Sequence, residues 1–130
     1  MGSLAIADRT QERCTSSLTR RLPIDRAHLA RYTFGNVALE IEVLGLFAGQ
    51  APQTLADLKT AATPKAWRDA AHTLKGSARA VGAWQVAEQA ERAEALKADP
   101  DVAARRVVLA ELEAALDEAC RYVSGLESAA

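Results

Sequence analysis

The chain is poor in the residues that would place it in several large functional classes. Its two cysteines, Cys14 and Cys120, lie far apart in sequence; they give no disulfide framework and suit a reduced, cytoplasmic setting. Two histidines, His28 and His72, with no paired spacing to either cysteine, make a poor ligand set for zinc, and no metal site is expected. No run of about 18 apolar residues is present, so no spanning helix is expected. The N-terminus lacks the apolar core and small-residue cleavage site of a signal peptide. An excess of charge of one sign is also missing. With 16 Lys and Arg against 17 Asp and Glu, the net charge of -1 gives neither a nucleic acid nor a membrane surface a reason to bind. Neither a G-x-G-x-x-G nor a P-loop pattern occurs, so intrinsic ATP-dependent kinase activity is not expected.

What remains is a chain of 130 residues, 49% hydrophobic but only 5% aromatic, with alanine dominating the apolar share. Alanine has the highest helix propensity, and small side chains let helices approach closely, so an all-α fold follows. The length suits one core. Residues 1–22, rich in Ser, Thr and Arg, read as a loose or weakly helical extension, and residues 23–130 as the folded domain.

Punctuation divides that domain into helices. A short one starts near Asp25, an N-cap residue type, and breaks at Phe34-Gly35-Asn36. A long segment follows, with Val37, Ile41, Leu44, Ala48, Ala51, Leu55, Leu58 and Ala62 spaced by three and four, Phe47 widening the stripe, and Pro52 expected to bend or interrupt it. Thr63-Pro64 is a cap followed by a proline at the first helical position, and Gly82 ends the helix so opened. Ala83 to Ala98 is helical, with Ala83, Val86, Ala87, Ala90 and Ala93 on one face. Asp99-Pro100 repeats the cap signal before a last helix with a seam of Leu109, Leu112, Leu116, Ala119, Val123 and Leu126. Four substantial helices with short connections predict an up-and-down four-helix bundle with a short additional N-terminal helix.

The chemistry concentrates in the third segment. At about 100° per residue, Trp67, Ala70, Ala71, Leu74, Ala78 and Val81 share an apolar stripe, while Arg68, His72, Lys75, Gly76 and Arg79 fall on roughly the opposite side. His72 therefore points to water. Lys75, one turn on, can reach an anionic oxygen attached to His72. Gly76 costs about 1 kcal/mol against alanine in a helix, and its missing side chain would let another protein approach the imidazole. Arg68 and Arg79 extend the positive charge, although a solvated helix face accounts for them equally well. His28, between Arg26 and Arg31, reads as a solvated or capping surface residue.

Ala71-His72-Thr73-Leu74-Lys75-Gly76-Ser77-Ala78 followed by Val81-Gly82-Ala83, with Leu46-Phe47 and Pro52 upstream, resembles the histidine phosphotransfer (HPt) domain family over about Pro23 to Glu127. The resemblance implies a soluble, monomeric phosphorelay intermediate. His72 would accept a phosphoryl group from an aspartyl phosphate on a response-regulator receiver domain, such as one belonging to a hybrid histidine kinase, and pass it to another receiver. Lys75 would stabilise phosphoryl charge and Gly76 would leave room for the receiver, which would itself carry Mg2+. No cofactor would be bound by this chain. In the family a polar side chain on the neighbouring helix commonly bonds the other ring nitrogen. An antiparallel pair folding at Gly82 brings Glu91 and Glu94 to the level of His72. A carboxylate there would fix the tautomer that leaves Nε2 free; alternatively Glu94 turns to solvent or pairs with Lys97. Trp67 and Trp84 read first as packing residues, with Trp84 also placed to touch a partner. The receiver-facing surface would combine the basic stripe with an exposed apolar rim on the two central long helices. A non-phosphorylated helical adaptor and a bundle self-associating through its last helix are the competing readings.

Overall fold

The computed structural model describes residues 22–96 and 102–129. It contains five helices: α1 (Arg26–Thr33), α2 (Val37–Lys59), α3 (Pro64–Val81), α4 (Trp84–Leu96) and α5 (Val102–Ala129). No strand occurs among the described residues. The predicted extension lies outside the described residues except for Leu22, as do Cys14, Lys97, Ala98 and the Asp99-Pro100 cap signal.

Side-chain caps set the starts of the first three helices. The Asp25 carboxylate accepts from the His28 N–H at 3.1 Å, Asn36 from Leu39 at 3.1 Å and Thr63 from Ala66 at 3.0 Å, each satisfying a first-turn amide that has no intrahelical partner. Pro64 occupies the first turn of α3. Gly82 ends α3 in the left-handed region at φ 77°, and Phe34 ends α1 at φ 54°.

The four long helices close a ring, α2 on α3, α3 on α4, α4 on α5 and α5 back on α2, while α1 lies against α2 and α3. The core runs down this ring: Leu44, Phe47, Ala51, Leu55 and Leu58 of α2, Trp67, Ala71, Leu74, Ala78 and Val81 of α3, Val86, Ala87, Ala90 and Ala93 of α4, and Val108, Leu112, Leu116, Ala119 and Val123 of α5. Each fully enclosed leucine is worth about 1.5–3 kcal/mol of transfer free energy. Trp67 adds a direct tie between helices, its Nε1–H donating to the Ala93 carbonyl at 2.7 Å, with the Arg105 guanidinium 4.8 Å from its ring centre.

Four expectations need correction. Pro52 does not interrupt α2, which runs unbroken past it. The Pro52 ring is exposed, and the Ala48 carbonyl that it leaves without an amide faces the Cys120 thiol at 4.0 Å. Burial pushes the Cys120 thiol up, which keeps it in the protonated form that can donate. Val37 and Ala62, expected in the stripe, are exposed, Ala62 lying beyond the end of α2 at Lys59, and Glu40 is buried in place of Val37. Glu40 accepts from Arg26 at 3.1 Å and from the Thr33 hydroxyl at 3.0 Å, so the charge is paired where α1 meets α2. In α5 Val108 is buried and Leu109 only partly so. His28 is not a solvated surface residue either: its ring packs edge-on against Trp84 at 4.8 Å and Tyr32 at 5.4 Å.

Candidate functional site

The helix face opposite Trp67, Ala71, Leu74 and Ala78 is the solvent face of α3, so the apolar periodicity that buries those residues is what exposes His72. Its side chain is 69% exposed. Because Gly82 folds α4 back along α3, Glu94 comes alongside and its Oε2 lies 2.9 Å from His72 Nδ1. The second carboxylate oxygen, Oε1, accepts from the Lys75 ammonium. Lys75 holds the Glu94 carboxyl below the usual carboxylate range, with the His72 contact adding to the effect against the opposing influence of burial. An ionised carboxylate only accepts, so Nδ1 is the protonated nitrogen. Nε2 is then the nitrogen without a protein partner among the described residues.

The two candidate carboxylates are thereby separated. Glu94 meets His72, whereas Glu91 pairs with Arg79 at 3.6 Å. Lys75 is not a loose surface cation: its side chain is only 16% exposed and is held by Glu94.

Gly76 lies on the exposed surface, and a Cβ built there would meet no atom within 4 Å. Nothing inside the protein requires a glycine at that position. Gly82 contrasts with it, since a Cβ there would lie 2.7 Å from the Asp25 carbonyl oxygen. Asp25 grips this turn: its N–H donates to the Gly82 carbonyl at 2.8 Å, and its carboxylate accepts from Trp84 Nε1 at 2.8 Å. Trp84 is accordingly half-buried, held between Asp25 and His28.

The face around His72 is less basic than its cations alone suggest. Arg68 is exposed, but Asp69, one turn before His72, is exposed as well and bonds Lys65 at 2.8 Å. Lys65 holds the Asp69 carboxyl low, with smaller contributions from Arg68 and His72. Asp69 was missed by sequence reasoning although its spacing of three from His72 places it on the same surface. Glu91 and Glu94 further balance Arg79 and Lys75. The expected apolar rim on α3 and α4 is absent from the large exposed hydrophobics of the described residues, which lie elsewhere: Leu22 before α1, Leu39 and Leu46 on α2, Tyr32, Phe34 and Val37 around the α1–α2 turn, and Val102 and Val107 on α5.

The arrangement supplies one nucleophilic nitrogen of fixed tautomer, an adjacent ammonium, and open space one turn along the helix. Among the described residues no group of three His, Cys, Asp or Glu side chains could hold a metal ion, and no helix is long and apolar enough to cross a membrane. No curated protein and no solved structure matches the chain. A family model, that of the Hpt domain, matches residues 42–122, which take in all of α3 and α4 and most of α2 and α5. The helical bundle and this match over more than half the chain give one conclusion: the chain belongs to the Hpt domain family, the histidine phosphotransfer domains of phosphorelays.

Proposed function

We propose that His72 accepts a phosphoryl group from the aspartyl phosphate of a response-regulator receiver domain, including receivers within hybrid histidine kinases, and passes it to another receiver. The observation that carries this reading is the exposed His72 ring with Nδ1 engaged by Glu94 and Nε2 left over. In the transfer the Nε2 lone pair forms the N–P bond as the P–O bond to the receiver aspartate breaks, and the bonding electrons leave with that carboxylate. Nδ1 keeps its proton, so the ring becomes positively charged. Onward transfer reverses these changes on a second aspartate. Little is demanded of this chain beyond a positioned nitrogen and nearby positive charge, because the receiver brings Mg2+ and most of the electrostatics. The protein acts as a soluble monomer, with no cofactor of its own and no nucleic-acid partner.

Lys75→Ala is expected to slow transfer several-fold while changing folding stability by no more than about 1 kcal/mol, the usual worth of a near-surface ion pair. Stopped transfer reactions compared with denaturant melts check this, and unaltered transfer kinetics would remove Lys75 from the site. Gly76→Gln is expected to weaken receiver binding at least ~10-fold, since a side chain added to the rim of the interface costs on the order of 1.4 kcal/mol if it must be displaced. The helix itself gains about 0.5–1 kcal/mol from replacement of the glycine. Calorimetric titration with a receiver tests the steric account, which normal affinity in the variant would defeat.

The proposed transfer is tested by mixing the purified chain with a receiver carrying a labelled acyl phosphate. Label moving to this chain supports the reading, whereas retention of all label by every receiver in a broad panel refutes it.

A further inference from the structure

Glu94 stands between two groups that the proposed chemistry needs. One oxygen holds the proton of His72 Nδ1 and the other holds the ammonium of Lys75. Lys75 is thus committed to a carboxylate before any phosphoryl group arrives. An amide at position 94 could still accept the Nδ1 proton through its carbonyl, but it would carry no charge to engage Lys75 or to favour a cationic ring. The negative charge of Glu94 therefore has a consequence separate from its hydrogen bond.

We infer that Glu94 keeps the phosphohistidine of this protein short-lived and quick to discharge, a role that rests on His72 being the phosphoacceptor. The charge acts on the phosphorylated state both through the ring and through Lys75, and the second route sets the direction. When Nε2 bonds phosphorus and Nδ1 retains its proton, the ring is a phosphorylated imidazolium, and the nearby carboxylate stabilises that positive charge. From this state the N–P bond breaks with its electron pair returning to Nε2, so a neutral imidazole departs rather than an anion. The phosphoryl group goes to a receiver carboxylate or to water, and in the second case inorganic phosphate is released. At the same time Glu94 competes with the phosphoryl oxygens for Lys75 and adds its own like charge to their neighbourhood. The attraction to the ring is lost on discharge and so favours the phosphorylated state, but the phosphorylated side chain as a whole is anionic, its one positive ring charge set against about two negative charges on the phosphoryl oxygens, so the repulsion and the loss of Lys75 raise that state relative to its discharge products. Glu94 acts through His72 and Lys75 and touches no reacting atom, so it is a positioning and tuning residue.

The test separates charge from positioning with the isosteric variant Glu94→Gln. The wild-type chain and the variant are phosphorylated by a receiver, purified from it, and followed for loss of phosphate by hydrolysis. The 15N shifts of His72 in each unphosphorylated protein report which ring nitrogen carries the proton. The expected result is the Nδ1–H tautomer in both proteins and a phosphohistidine lifetime about tenfold longer in the variant, a factor that corresponds to about 1.4 kcal/mol. Glu91→Gln, which removes the neighbouring carboxylate paired with Arg79, is expected to keep the wild-type lifetime. Equal or shorter lifetime in Glu94→Gln with the tautomer retained overturns the inference and leaves the phosphoacceptor reading standing. Lengthening by Glu91→Gln to the same extent also overturns it, because a general field effect would then suffice. A wild-type chain that takes no label from any receiver refutes the phosphoacceptor reading, and this inference falls with it.

Discussion

His72→Gln is expected to reduce phosphoryl acceptance to background while the bundle melts within about 1.5 kcal/mol of the wild-type stability. The expectation follows from where the imidazole is and what it touches. Its side chain is 69% exposed and belongs to no core layer, so truncating or replacing it opens no cavity. The substitution removes a single hydrogen bond to Glu94, which keeps Lys75 as a partner when the ring is gone. One solvent-accessible hydrogen bond contributes roughly 0.5–1.5 kcal/mol at most. Glutamine matches much of the shape, but its amide has no nucleophilic nitrogen. Transfer from a labelled receiver, followed beside thermal unfolding by circular dichroism, reads both quantities in the same preparations. His28→Gln is the control that shares the side-chain chemistry but not the site. It is expected to label normally and to melt earlier, because the His28 ring packs against Trp84 and Tyr32. Persistent labelling of His72→Gln would show that another residue takes the phosphate.

Gly82→Ala is expected to produce the largest loss of stability among the glycine substitutions in α3 and its cap, about 2–4 kcal/mol. At φ 77° an L-residue is disfavoured by about 1–2 kcal/mol. The added Cβ would also lie 2.7 Å from the Asp25 carbonyl oxygen, a backbone atom that cannot swing aside. Relieving that collision pulls Asp25 away from the turn and strains its N–H bond to the Gly82 carbonyl. Strain of this kind costs of order 1–3 kcal/mol. Gly76→Ala, six positions earlier and inside the helix that Gly82 caps, carries the opposite sign: nothing lies within 4 Å of its added Cβ, and the helix gains about 0.5–1 kcal/mol. Urea unfolding of both single variants reads the contrast directly. Equal effects at the two positions would contradict the assignment of Gly82 as a turn residue and Gly76 as one left open for a partner.

The starts of α1 and α3 and the end of α3 were legible in the sequence because caps act over three or four residues. Asp25, Thr63-Pro64 and Gly82 each do locally what the local pattern says. The exposed placement of His72 was legible for the same reason, since an apolar stripe fixes the opposite face of one helix. Contacts between helices were harder to read. Glu91 and Glu94 lie only about 60° apart around α4, so the choice of which carboxylate meets His72 depends on the rotation of α4 against α3, and a single helix pattern does not contain that angle. Lys75 showed the same limit: its spacing from His72 is local, but its capture by Glu94 is not. Pro52 does not end α2, and the Ala48 carbonyl it leaves without an amide has the Cys120 thiol of α5 4.0 Å away, a neighbour that no local pattern shows. Glu40 was invisible as a core residue because its burial depends on Arg26 and Thr33 from another helix. The Hpt match spans α3 and α4 together, the pair whose packing sets the His72–Glu94–Lys75 geometry.

The central claim is that His72 alone carries phosphate and receives it only from a receiver. The most direct measurement is mass spectrometry at alkaline pH, where a phosphorylated imidazole survives, on the wild-type chain after incubation with ATP alone and with each of a panel of phosphorylated receivers. The account predicts an unmodified chain with ATP and, with at least one receiver, a single phosphate mapped to His72. Phosphate on His28 or on any other residue in place of His72, labelling by ATP alone, or an unmodified chain after every receiver would contradict it.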